Sequence, residues 1–118
     1  MLSDRRSALR VPAEIYLTQY VDEEPYRCFT VNLSASGLYV NKLVHGIWRR
    51  TSVVQLEMPV PGGDTIWARG NVMYDGFDTF FHSMGIRLDA MARKHQRMLD
   101  EYVHDLWSRR EIPIDWAD

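Results

Sequence analysis

Hydrophobic residues in this chain keep one period over the first three quarters and another over the last. From Val11 to Leu88 they recur mostly at every second position, in short runs broken by turn residues; from Met91 onward they recur at steps of three and four. Val11, Ala13, Ile15 and Leu17 alternate with Glu14, Tyr16 and Thr18, and predict a first strand over 11–20. The runs 26–31 and 37–41 read as a second and a third. Val54, Leu56 and Met58 alternate with Gln55 and Glu57, so 52–58 reads as a fourth. Residues 65–74 and 79–88 complete a set of six. Turn chemistry separates them: an acidic turn at 21–25, where Pro25 is expected to end strand pairing, the cluster 59–64 with two prolines and two glycines, and a hairpin signal at Asp75-Gly76-Phe77-Asp78. The basic segment 42–50 reads as a solvated connection.

Asp89 then reads as the cap of a helix over 89–110. Met91, His95, Met98, Leu99, Tyr102, Val103, Leu106 and Trp107 form one apolar stripe, opposite Arg93, Lys94, Arg97, Asp100, Glu101 and Asp105. In the tail, 111–118, Ile112, Ile114 and Trp116 alternate. The expected fold is mainly β: a small six-stranded antiparallel barrel of the split-barrel type with a C-terminal α-helix, as one domain over 1–118. Residues 1–10 are expected to be a loose polar arm, 11–88 the barrel.

A chain of 118 residues can enclose one core and little else. Its net charge of −2 gives no general attraction to nucleic acid or anionic membranes, so an anion site has to be locally basic. The stretch from Asp4 to Arg10 answers that, with three arginines against one aspartate. Cys28 is the one cysteine, which fits a reducing cytoplasm; in its apolar strand it reads as a small buried hydrophobe. No run approaches a membrane span, and the first residues lack an apolar signal core.

Candidate chemistry gathers in two motifs. Arg6-Ser7-Ala8-Leu9-Arg10 places two arginines four apart, and Asn32-Leu33-Ser34-Ala35-Ser36-Gly37 reads N-x-S-x-x-G. Guanidinium groups make planar, bidentate bonds to phosphate or to the O6/N7 edge of guanine, and they stack on flat rings. Asn32 and Ser34 can meet the remaining polar edges, and Gly37 lets backbone come close. R-x-x-x-R followed after some twenty residues by [D/N]-x-S-x-x-G resembles the PilZ family of bacterial cyclic di-GMP receptors. The likeness runs over roughly 5–110 and includes His82-Ser83-Met84-Gly85-Ile86-Arg87-Leu88, similar to a late strand of that family. The resemblance implies a cyclic di-GMP site made of Arg5, Arg6, Arg10, Asn32, Ser34, Gly37 and Gly85, with no cofactor. Arg5, directly before the first motif arginine, implies an intercalated pair of ligand molecules. Such domains act on an effector protein in motility, biofilm or exopolysaccharide control.

Two other readings stand beside it. One is a protein-interaction scaffold of the same fold that binds no ligand. The other is a small barrel that binds single-stranded nucleic acid on Trp48, Trp67, Tyr39 and Phe81, which the acidic net charge opposes. His45, His82, His95 and His104 form no metal-ligand spacing, and His95 and His104 sit on opposite sides of the helix. Asp75 and Asp78 are explained by a hairpin. Nothing supplies an activated nucleophile or a general acid–base pair, so the chain reads as a binding module and not an enzyme.

Overall fold

A computed structural model describes residues 9–43, 53–77 and 80–111. Its elements are β1 (Arg10–Pro12), β2 (Tyr16–Val21), β3 (Glu24–Ser34), β4 (Gly37–Leu43), β5 (Val53–Pro59), β6 (Thr65–Phe77), β7 (Phe81–Met91) and α1 (Arg93–Glu111). All pairings are antiparallel. The sheet runs β1-β3-β2-β5-β6-β7-β4, and β3 pairs β4 as well, which closes a six-stranded barrel with β1 as a short addition beside β3. Closure removes the free edges that an open sheet would expose.

The expected first strand is two. Between Pro12 opposite Asn32 and Tyr16 opposite Phe29, three residues of this stretch face two of β3, so Ala13 to Ile15 is irregular, although the Ala13 N–H still donates to the Val31 carbonyl at 3.2 Å and the Thr30 N–H to the Ile15 carbonyl at 2.9 Å. Thr30 fills the gap: its hydroxyl donates to the Ala13 carbonyl at 2.5 Å and accepts from the Ile15 N–H at 3.0 Å. Pro25 does not end pairing. It lies inside β3 opposite Tyr20, while pairing with β4 starts only at Cys28, so no described strand on that side needs its missing donor. The turn before it is a two-residue hairpin in which Asp22 and Glu23 both take positive φ, 51° and 72°.

The hairpin expected at 75–78 is displaced as well. Asp75, Gly76 and Phe77 continue β6, paired to Met84, Ser83 and His82. Asp89 caps no helix. Arg69 pairs with Ala90 and Gly70 with Leu88, so Asp89 is the extra residue of a β-bulge. Its carboxylate accepts from the Asn71 amide and lies 3.7 Å from Arg69. The helix starts at Arg93. Lys42 belongs to β4 rather than to a solvated loop, and its ammonium sits 4.3 Å from the Tyr26 ring centroid. Glu111, expected to open the tail, ends α1 instead; 112–118, the 44–50 part of the basic segment and the aspartate at 78 lie outside the described residues.

Inward positions of every barrel strand meet in one core: Leu17 and Val21, Cys28 and Leu33, Leu38 and Val40, Val54, Leu56 and Met58, Ile66, Met84 and Ile86. Leu99 and Val103 of α1 are buried against the same cluster, and Met98, Tyr102, Leu106 and Trp107 pack at its margin. The apolar stripe of the helix thus covers the barrel near β6, β1 and β3. Burial pushes the Cys28 thiol up to about 12, against smaller opposing effects of Lys42 and Arg27, so it stays neutral and inert. Besides Thr30 and Ser34, Gln19 and His82 are buried polar residues. Gln19, fully buried, donates to the Met84 sulfur at 3.5 Å while its Oε1 has no partner. His82 stacks on Phe77 and lies 3.5 Å from Asp75.

Candidate functional site

Strand register brings the two motifs together on the outer wall of the barrel. Asn32 pairs with Tyr39, Tyr39 with Gly85, and Gly85 with Tyr74, so these four form one row across β3, β4, β7 and β6. A second row lies two residues along the strands: Gly37 opposite Arg87, and Arg87 opposite Asn71. Arg10, in β1, enters from the side of β3. Its Nη1 donates to Asn32 Oδ1 at 2.5 Å, which joins one half of the sequence pattern to the other.

Asn32 owes its position to a register shift. The ladder passes from Thr30 opposite Val40 to Asn32 opposite Tyr39, leaving Val31 as the extra residue. Strict alternation from buried Cys28 and Thr30 would turn Asn32 inward. The bulge turns it out, onto the face of Arg10. Asn32 was expected on a connection, but it lies within the strand.

Ser34, expected as a ligand contact, holds a turn. It is only 1% exposed. Its Oγ accepts from the N–H of Ser36 at 3.2 Å and of Gly37 at 3.1 Å, and lies 3.1 Å from the Gly37 carbonyl, to which it can donate. The hydroxyl therefore holds the turn between β3 and β4. The Leu88 N–H donates to the Ser36 carbonyl at 2.9 Å, and Gln96 of α1 donates to the Ala35 carbonyl at 3.4 Å, so the same turn is tied to β7 and to the helix.

Gly37 is required by close approach. A Cβ there would lie 2.7 Å from the Ile86 carbonyl oxygen, with the Arg10 guanidinium at 3.7 Å. Gly85 is required by a side chain. A Cβ there would run into the ring of Tyr74, which lies across it. The Tyr74 ring in turn stacks beside Tyr39, with centroids 6.0 Å apart and planes 25° from parallel.

Between the rows lies a shallow cleft of about 170 Å³, lined by Arg10, Ser36, Gly37, Leu38, Met73, Tyr74, Gly85, Ile86 and Arg87. Among the described residues two arginines and no carboxylate border it, so it is locally basic on a chain of net charge −2. Arg10, Gly37 and Gly85 are thus assembled around one cleft with Asn32 at its lip; Arg5 and Arg6 lie outside the described residues. Sequence reasoning missed Arg87, Tyr74 and Met73. Arg87 was legible as the outward neighbour of Ile86 in an alternating strand. The placing of Met73 and Tyr74 depends on a further bulge, which alternation does not encode.

A larger cleft, about 490 Å³, opens on another stretch of wall beside Tyr20, Val53, Trp67 and Arg69, remote from both motifs. Of the aromatics offered for nucleic acid, Trp67 stacks on Tyr20 and Phe81 meets Phe29 edge-on, while Tyr39 belongs to the motif row; Trp48 is outside the described residues. The three that are described form no continuous platform. Among the described residues no cluster of three or more His, Cys, Asp or Glu side chains could hold a metal, and no helix is long and apolar enough to cross a membrane.

The sequence model of the PilZ domain family matches residues 4–105. The chain belongs to the PilZ domain family. Solved PilZ structures share its fold. The Bacillus subtilis inhibitor of motility (MotI/DgrA) superposes with a TM-score of 0.70 at 22% identity, covering 89% of this chain and 50% of that one. The PilZ domain of Escherichia coli YcgR, solved with c-di-GMP, gives 0.69 at 13% identity, covering 90% and 94%. The longer YcgR complex with c-di-GMP gives 0.66 at 13%, covering 92% and 49%. This chain therefore spans about half of MotI/DgrA and of the longer YcgR chain. At these identities the likeness is one of fold. No curated protein matches the sequence.

Proposed function

We propose that this PilZ domain is a receptor for cyclic di-GMP that binds the ligand on the outer wall of the barrel and passes the event to a partner protein. The observation that carries the reading is the Arg10–Asn32 hydrogen bond at the lip of a basic cleft, where both motif halves meet. In this reading Arg10 turns from the single amide oxygen of Asn32 to a phosphate or to the O6/N7 edge of guanine, either of which offers two acceptors to its planar guanidinium. Asn32, released, meets guanine N–H groups through the same Oδ1. Ser34 acts through the turn that it holds, and Gly37 keeps that turn close to β7. Arg6 would add a second guanidinium and Arg5 would favour an intercalated ligand pair.

The route to a partner runs through the turn. Ala35 and Ser36 are held by Gln96 and Leu88, so a shift of the turn on binding pulls on α1 and β7 together. The domain thus acts as a cytoplasmic adaptor in control of motility, biofilm or exopolysaccharide. Calorimetric titration with cyclic di-GMP, with GTP and a short oligonucleotide as controls, tests the reading. Saturable binding of cyclic di-GMP alone supports it, and the stoichiometry separates one ligand from two. Oligonucleotide binding with a steep salt dependence would replace it by the nucleic-acid class. Silence toward all three would leave a scaffold.

A further inference from the structure

The larger cleft, about 490 Å³, lies on the wall formed by β2, β5 and β6. Its lining is aromatic at the centre. Tyr20 and Trp67 stand on strands separated by β5, yet their rings stack, with centroids 6.1 Å apart and planes 22° from parallel. Both residues are anchored. The Tyr20 hydroxyl donates to Glu57 Oε1 at 2.8 Å, and the backbone N–H of Trp67 donates to His95 Nδ1 of α1 at 3.0 Å. Val53 extends the apolar surface and is 49% exposed; Trp67 is 38% exposed. Exposed apolar residues scattered singly are ordinary. A contiguous set in a concave place, rimmed by charge, marks a contact surface.

The rim selects the kind of contact. Asp22 and Glu23, the exposed turn between β2 and β3, line the cleft, and Glu57 joins them through Tyr20. Among the described lining residues Arg69 is the one cation, and its Nε lies 3.7 Å from Asp89. Carboxylates therefore outnumber guanidinium on this wall, the reverse of the motif cleft. A phosphate is repelled here and a cation is drawn in. The described carboxylates form no cluster able to hold a metal ion, so they suit an extended cationic group instead. A guanidinium answers both parts of the site. Its planar face stacks on an indole, its N–H groups fork to carboxylates, and its aliphatic stem covers apolar surface.

We infer that this cleft is the docking place for an arginine-bearing segment of a partner protein. The guanidinium seats on Trp67 within reach of Asp22 and Glu23, and apolar residues of the segment cover Val53. The inference stands apart from the nucleotide site. It uses none of the motif residues, and a partner seated here leaves the motif cleft open to its own ligand.

The test is fluorescence anisotropy of a dye-tagged short peptide of alternating arginine and leucine, titrated with the full chain in the absence of nucleotide. Peptides with lysine or glutamate in place of arginine are the controls. The arginine peptide should bind saturably and most tightly, and its affinity should fall as salt rises. Trp67→Leu should weaken it by about twofold to thirtyfold, the worth of a cation–π contact. Glu23→Lys, on an exposed turn, should melt like the wild type and also weaken the peptide, most at low salt, while its affinity for cyclic di-GMP stays that of the wild type. An arginine peptide that binds no more tightly than its lysine and glutamate counterparts, or equally well to the wild type and both variants, overturns the inference. So does a wild-type chain that sediments as a dimer which Glu23→Lys dissociates, since the occupant is then a second copy. Peptide binding by a chain silent toward cyclic di-GMP would uphold the docking place and remove the receptor; cyclic di-GMP binding without peptide binding would do the opposite.

Discussion

Replacing Gly37 by Ala should both loosen the fold and weaken the site, and the size of each effect follows from one distance. The added Cβ would sit 2.7 Å from the Ile86 carbonyl oxygen, several tenths of an ångström inside the distance at which such atoms normally meet. The obstacle is backbone, so no rotamer change can relieve it. Either β4 moves away from β7 or the turn that Ser34 holds opens. Overpacking of this kind costs about 1–3 kcal/mol. In a domain of this size each kcal/mol lowers the melting temperature by about 3–6 °C, so the variant should melt about 3–18 °C lower. Differential scanning calorimetry would measure it. Affinity for cyclic di-GMP should fall as well, because Gly37 borders the cleft and faces the Arg10 guanidinium. A Gly37→Ala variant that melts within about 1 °C of wild type and binds equally well would refute the claim that this approach is tight.

Arg10→Ala should weaken cyclic di-GMP binding by more than about tenfold, the worth of one charge-assisted bond, while the melting temperature barely moves, since Arg10 is exposed; calorimetry and a thermal melt read both. Gln19→Met should stabilise the protein by about 1–2 kcal/mol, because it removes a buried Oε1 without a partner and keeps the side-chain volume; chemical denaturation would show a higher midpoint. His82 gives the fold a pH dependence. Burial first, then the nearby Lys42, lower its pKa below the ordinary 6.5, and Asp75 opposes them only in part. The unfolded chain therefore takes up a proton that the folded chain refuses, so stability should decline as pH falls through about 6.5 and level off below the folded value. His82→Gln should flatten that slope in melts between about pH 7.5 and 5.5; an unchanged slope would place its origin elsewhere.

Much of the fold was legible in the sequence because burial on one face forces period 2. Val54, Leu56 and Met58 face the core as their alternation requires, and Leu99 and Val103 dock α1 as their spacing requires. The family resemblance implied that Arg10, Asn32 and Gly37 belong to one site, and the strand register brings them to one corner. What failed to show was every feature that needs two strands to define it. The extra residues Val31, Met73 and Asp89 exist only relative to a partner ladder, so Asn32 and Tyr74 could not be seen to share a face, and Asp89 passed for a helix cap. Pro25 was read from its own lost donor, while β4 pairs with β3 only from Cys28 onward, which makes the loss harmless. Ser34 looked like a ligand contact because a hydroxyl beside a glycine suits either a ligand or a turn. Its burial, 1% exposed, and its bonds to Ser36 and Gly37 show the turn role, which the sequence pattern does not reveal.

The central claim is that the nucleotide lies across the outer row from Asn32 to Tyr74. Amide chemical shifts recorded during titration with cyclic di-GMP test it most directly. The account predicts the largest changes at Arg10, Asn32, Ser36, Gly37, Tyr74, Gly85 and Arg87, with smaller ones at Gln96 through the Ala35 carbonyl. Changes confined to the cleft of Tyr20, Val53 and Trp67, with the motif row silent, would contradict it.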